Sequence, residues 1–155
     1  MKTFQLEGTP RTEIGKKAAK AIRKEEMIPA VLYGGESTIH FNVTKDAVRK
    51  LIYTPEIFIV DLTIGDKKTK AIIKDLQFHP VTDAVLHIDF LEVFDNKPIV
   101  MEVPVVLDGF AEGVKAGGKL SLEMRKLKVK AVYSAIPEKL NINIDKLGLG
   151  KTMQV

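Results

Sequence analysis

Apolar and polar residues alternate along several stretches of this chain with the period of two that sends successive side chains to opposite faces of a strand. Over residues 85–94, Leu86, Ile88 and Phe90 fall on one face and His87, Asp89 and Leu91 on the other. Residues 39–43 alternate in the same way, and residues 30–33 read as a short buried strand that ends in a flexible turn at Gly34 and Gly35. Residues 57–64 and 69–76 flank Gly65-Asp66-Lys67-Lys68 and predict a hairpin.

Two segments carry helical spacing instead. Residues 15–26, rich in Ala, Lys, Arg and Ile, predict a helix that Pro29 keeps from continuing. At about 100° per residue, Ile14, Ala18, Ala21 and Ile22 share one side of it, and Lys16, Lys17, Lys20, Arg23 and Lys24 share the other. Residues 45–53 predict a second helix, with Thr44 as N-cap, Asp46 near the positive end of the dipole, Val48, Leu51 and Ile52 on one face, and Pro55 at its termination.

The strand pattern breaks at Asp95-Asn96-Lys97-Pro98, which predicts a boundary. Beyond it come strands at 99–107, 126–133 and 140–144, a Gly-rich stretch at 108–118 and almost no helical periodicity. The expected fold is mainly β with a few helices (α+β). Residues 1–95 form a small β unit with a basic helix, and residues 96–155 form a second, mainly β domain.

Composition narrows the classes. The 155 residues are 45% hydrophobic and 28% charged, enough to bury a core and inconsistent with a disordered, collagen-like or membrane-spanning chain. With no cysteine there are no disulfides, Cys-ligated zinc or thiol nucleophiles. The first 30 residues carry Lys, Arg and Glu throughout and hold no apolar export segment. A cytoplasmic protein is expected, with no membrane partner.

Charge changes the picture more. The net charge of +4 is modest, but residues 10–24 hold Arg11, Lys16, Lys17, Lys20, Arg23 and Lys24 against the single acid Glu13. That segment carries +5, and the other 140 residues sum to −1. Only the first domain is therefore expected to be basic. A solvated helix face usually interleaves both signs, and here only Glu25 and Glu26 follow at the end. A phosphate-binding face and a merely soluble one both remain open on these residues alone.

Catalytic patterns are thin. Gly113-Val114-Lys115-Ala116-Gly117-Gly118-Lys119 matches seven positions of a phosphate-binding loop, but the magnesium-ligating hydroxyl is replaced by Leu120, and a strand rather than a helix is expected to follow. Turn-forming glycines are the simpler reading. His40 in a strand and His79 in a loop before Pro80 form no metal-ligand pair by spacing. His87 and Asp89 point to one side of a strand, as an imidazole with its orienting carboxylate, an acid/base pair, half a metal site or a plain polar pair. Tyr33 either stacks on a base or packs as a half-buried aromatic. Few other aromatics are present, so structured RNA read through backbone and shape suits this surface better than a single strand. No enzyme, cofactor, metal or small-molecule substrate is implied.

Several segments in order carry a resemblance: Arg11-Thr12-Glu13-Ile14-Gly15-Lys16, the basic helix through Arg23, Ile28-Pro29-Ala30-Val31-Leu32-Tyr33-Gly34-Gly35, Leu76-Gln77-Phe78-His79-Pro80 and His87-Ile88-Asp89-Phe90. With residues 113–118, Ile136-Pro137-Glu138-Lys139-Leu140 and Leu147-Gly148, the chain resembles the bacterial large-subunit ribosomal protein L twenty-five family in its two-domain, general stress protein form. The resemblance implies a small N-terminal β-barrel that binds 5S rRNA within the large ribosomal subunit, and a second β domain that is incomplete where the chain stops at Val155. It implies RNA contacts by Arg11, Lys16, Lys20, Arg23, Tyr33, His87 and Asp89, beside Lys17 and Lys24 of the same basic stripe. The chain departs from the family at Lys20, where an arginine fork is replaced by a point charge, and at Glu26, where glycine usually ends the helix. The alternatives are a stress-related protein that engages RNA or the ribosome conditionally, and a P-loop-like nucleotide-binding enzyme.

Overall fold

The computed structural model describes residues 2–54 and 56–154, so the expectations for Pro55 and for the chain end at Val155 lie outside the described residues. In chain order the elements are β1 (Lys2–Pro10), α1 (Lys16–Lys24), β2 (Met27–Tyr33), β3 (Ile39–Thr44), α2 (Lys45–Ile52), β4 (Phe58–Ile64), β5 (Lys67–Phe78) and β6 (Val85–Glu92). They are followed by β7 (Ile99–Asp108), α3 (Glu112–Lys115), β8 (Lys126–Ala131) and β9 (Leu140–Asn143).

Six strands close a barrel in the order β1-β3-β2-β6-β5-β4. The mainly β class with a small barrel, a basic helix and a second β unit is thereby borne out. β1 is the strand the alternation did not single out. Phe4 and Leu6 turn inward, but Gly8 and Pro10 dilute the period, and its main partner β4 lies some fifty residues away in parallel register from Lys2↔Phe58 to Gly8↔Ile64. Gly8 has a packing reason, because a Cβ there would enter the ring of Phe41. That ring fills the barrel beside Phe90, with centroids 5.6 Å apart.

Inward positions alternate as expected on β6, where Ile88 and Phe90 are fully buried. With Leu6, Leu32, Phe41, Val60 and Leu62 they form the barrel core, each contributing about 1.5–3 kcal/mol by burial. β5 changes phase at a bulge between Ile73 and Asp75. The extra residue, Lys74, lets Ile72 and Asp75 both point outward.

Several boundaries differ from expectation. β2 begins at Met27 and includes the buried Pro29. The hairpin turn is the pair Gly65-Asp66 alone, with Ile64 opposite Lys67. Thr44 occupies the N-cap of α2 but makes no side-chain capping bond; the Lys45 N–H donates to the Glu26 carbonyl at 3.0 Å instead. The turn at Gly34-Gly35 passes close to β6, where a Cβ on Gly35 would collide with the Glu92 carboxylate.

β7, β8 and β9 make a second sheet in the order β8-β7-β9. A three-stranded sheet needs an apolar partner, and it finds one on the barrel wall. Ile57, Ile72 and Val93 from the barrel side cluster with Ile99, Met101, Val103 and Ile136. Tyr133 donates its hydroxyl to Asp95 across the same seam.

Candidate nucleic-acid interface

Outward residues of the barrel wall stand in registered rows. Arg11 extends β1 by donating its N–H to the His40 carbonyl at 3.0 Å. From there the register runs from His40 to Val31, from Val31 to Asp89 and from Asp89 to Asp75, across β3, β2, β6 and β5. Asn42 is opposite Pro29, and His87 is opposite Gln77. Tyr33, two residues beyond Val31, shares its face. Burial of Phe41, Val43, Leu32, Ile88 and Phe90 forces this set outward.

The two members of the β6 pair touch: His87 Nδ1 lies 2.7 Å from Asp89 Oδ1. An imidazole held this way by a carboxylate keeps Nε2 for another partner. Partial burial raises the Tyr33 phenol above its ordinary pKa, and the Asp89 and Asp75 carboxylates add to the shift. The hydroxyl thus stays a donor. Burial, and then the nearby Arg23 guanidinium, lower the pKa of Arg11, which still remains a cation. Arg11 Nε, His40 Nδ1 and Asn42 Oδ1 are buried with no hydrogen-bond partner among the described residues. Each such group costs about 1–3 kcal/mol, so this end of the face holds unspent hydrogen-bonding capacity.

α1 is shorter than expected and rotated from the expected docking side. Gly15, in a left-handed conformation with φ 132°, forms its N-cap. Ala18, Ala19, Ile22 and Arg23 are half-buried, whereas Ala21 is exposed and Ile14, outside the helix, is 65% exposed. Arg23 therefore borders the docked side instead of sharing the open one. Its Nε and Nη2 donate to the Leu86 carbonyl at 3.1 and 2.9 Å, tying α1 to β6 one residue before His87. Lys16, Lys17, Lys20 and Lys24 are exposed, and none forms an ion pair among the described residues. Glu26 takes φ 60°, the left-handed conformation that a glycine adopts at little cost.

The structure thus brings Arg11 close to Arg23, and Tyr33 close to the His87–Asp89 pair, with α1 linked to that pair through Leu86. His40, Asn42, Asp75 and Gln77 share the face and are not among the RNA contacts expected from sequence. The period-two pattern of β3 held the signal for the first two; the bulge in β5 hid the others.

Residues 6–90 match the Ribosomal L25p family, and residues 98–155 match the C-terminal domain of ribosomal protein TL5. The chain belongs to the Ribosomal L25p family. It is 71% identical over 157 residues to the large ribosomal subunit protein bL25 of Porphyromonas gingivalis, covering 100% of this chain and 82% of that protein. The bL25 proteins of Parabacteroides distasonis and Bacteroides fragilis are 68% and 57% identical over 160 residues, with the same coverage. These L25p relatives are named as ribosomal proteins and not as enzymes, in line with the sequence reading.

The phosphate-loop resemblance dissolves in the fold. α3 precedes the Gly117-Gly118 turn instead of following it, and residues 120–125 are loop where strand was expected. Gly113 and Gly118 are small because the backbone of Gly148 and the side chain of Leu149 press on them. His79 is used locally: its Nδ1 accepts from the N–H groups of Val81 and Thr82 at 3.3 Å. No helix among the described residues is long and apolar enough to cross a membrane.

Proposed function

We propose that this chain is a structural protein of the large ribosomal subunit that binds 5S rRNA with the outer barrel face and α1. On this reading it works in the cytoplasm on the ribosome, needs no cofactor and has no small-molecule substrate. The division into a binding unit at residues 1–95 and a second β unit at residues 96–155 belongs to the same proposal.

One observation carries it: four exposed lysines on α1, without ion-pair partners among the described residues, are tied, through Arg23 and the Leu86 carbonyl, to a polar barrel face holding the His87–Asp89 pair. The lysines, with Arg11, supply phosphate contacts, which position RNA without reading it. Specificity falls to Tyr33, His87 and Asp89. A carboxylate repels phosphate but accepts from a base amine or a 2′-hydroxyl, so Asp89 suits a structured RNA better than a bare backbone.

Some four to six phosphate contacts predict a slope of log K against log salt of roughly −3 to −5. A salt titration on isolated 5S rRNA beside a tRNA control tests the reading. Tighter binding to 5S rRNA with that slope is expected; equal affinity for both RNAs would overturn it.

A further inference from the structure

The expectation that only the first domain is basic does not survive the division of the chain. Residues 1–95 hold fourteen Lys and Arg against fourteen Asp and Glu, so the +5 of the α1 segment is offset within the barrel unit itself. Residues 96–155 hold ten against six, which is the whole net charge of the protein. Within that half, residues 119–130 alone carry Lys119, Arg125, Lys126, Lys128 and Lys130 against the single acid Glu123.

The fold arranges these cations. On β8, Leu127, Val129 and Ala131 are half-buried, and the latter two pack on the cluster between sheet and barrel. Lys126, Lys128 and Lys130 are thereby forced onto the exposed face, about 6.7 Å apart at two residues of strand rise. That interval is close to the separation of consecutive phosphates along a nucleic-acid strand. β8 is an edge strand, and across from it on β7 stand Pro104, Glu102 and Val100. Among the described residues no ion pair engages any of the five cations, and Glu102 opposite Lys128 is no exception.

A cleft of about 500 Å³ between barrel and second sheet is lined by Lys74, Asp75, Glu102, Lys126 and Lys128. Lys74, the bulge residue of β5, reaches across to donate to the Val100 carbonyl at 3.3 Å. Asp75 is opposite Asp89 in the β5–β6 register. The β8 stripe therefore adjoins the barrel face on its β5 side. Lysines on an edge strand also discourage pairing with other strands, but one or two charges suffice for that, and five in twelve residues concentrate far more.

We propose that β8 and the loop entering it form a second RNA-binding surface, which holds a phosphodiester backbone without reading sequence. Lysines act as point charges with no fixed fork, so this surface adds affinity and salt dependence and leaves selectivity to the barrel. The inference rests on the RNA-binding reading of the chain, and its test is separable from the 5S rRNA assay.

The test uses the full chain and a mixed-sequence RNA duplex. Lys126→Gln/Lys128→Gln/Lys130→Gln is compared with Lys50→Gln/Lys68→Gln/Lys146→Gln, which removes the same charge elsewhere. The β8 variant is expected to bind about tenfold more weakly at low salt, with a slope shallower by about 2 to 3. The control variant should stay within twofold of the unmodified protein, and Lys→Arg at the three β8 positions should restore binding. Equal behaviour of the two glutamine variants would overturn the inference. Loss of 5S rRNA preference in the unmodified protein would instead overturn the barrel reading, leaving the duplex comparison intact.

Discussion

Arg23 holds the carbonyl of Leu86 with two donors, Nε at 3.1 Å and Nη2 at 2.9 Å, and so fastens the basic helix to the strand that carries His87 and Asp89. The residue that looks from sequence like one more surface cation is a strap. Hydrogen bonds from a charged group contribute about 1.5–3 kcal/mol where solvent is excluded, and this one is only partly buried. Arg23→Lys, which loses the fork, is expected to cost about 1 kcal/mol in urea unfolding and to weaken RNA binding as well. Lys20→Ala should weaken binding while leaving stability within about 0.5 kcal/mol. The pair of measurements separates a positioning residue from a contact residue.

Asp89 orients the His87 ring from 2.7 Å. Removing that carboxylate leaves every cation in place. Asp89→Ala is expected to lower 5S rRNA affinity about tenfold with an unchanged salt slope, because a misdirected imidazole loses hydrogen bonds and no phosphate contact. Lys16→Ala should instead make the slope shallower by about 0.7–0.9. A shallower slope in the Asp89 variant would contradict an orienting role.

Glu26 sits at φ 60° just beyond α1. A left-handed non-glycine residue costs about 1–2 kcal/mol, which the exposed Lys45–Glu26 ion pair at 2.7 Å offsets only slightly. Glu26→Gly is expected to raise stability by about 0.5–1 kcal/mol, read as a higher urea midpoint with an unchanged m-value.

Asp145 closes the corner after β7. Its Oδ1 accepts from the Phe110 N–H at 2.8 Å and its Oδ2 from Asn143 Nδ2 at 3.0 Å. A Cβ on Gly109, which has φ 91°, would meet the same carboxylate. The Phe110 bond, then the Asn143 bond, lower the carboxyl's pKa below 3.8. A depressed folded pKa contributes stability above the unfolded value, lost as pH falls through the folded one. Asp145→Asn should therefore unfold more readily than the parent at pH 7, and the gap should close below about pH 4. A gap independent of pH would assign the effect to shape rather than charge.

How much of this was legible in the residues depends on how local the cause is. The sides of β6 and the existence of α1 and α2 follow from spacing alone, because burial on one face imposes a period. So does the mainly β class. Sequence also located the α1 lysines and the His87–Asp89 pair, since i,i+2 neighbours on a strand must share a face.

Tertiary structure decided the rest. β1 closes the barrel by pairing with β4 and β3, and parallel pairing at that separation leaves no local mark. The rotation of α1, and with it the role of Arg23, depends on a carbonyl 63 residues away. The bulge in β5 places Asp75 beside Asp89 and Lys74 at the cleft. The charge of residues 119–130 was present in the sequence throughout, but only packing of Val129 and Ala131 on the barrel turned it into a stripe. Periodicity reports which side of an element is buried, and only long-range contact reports what that side is buried against.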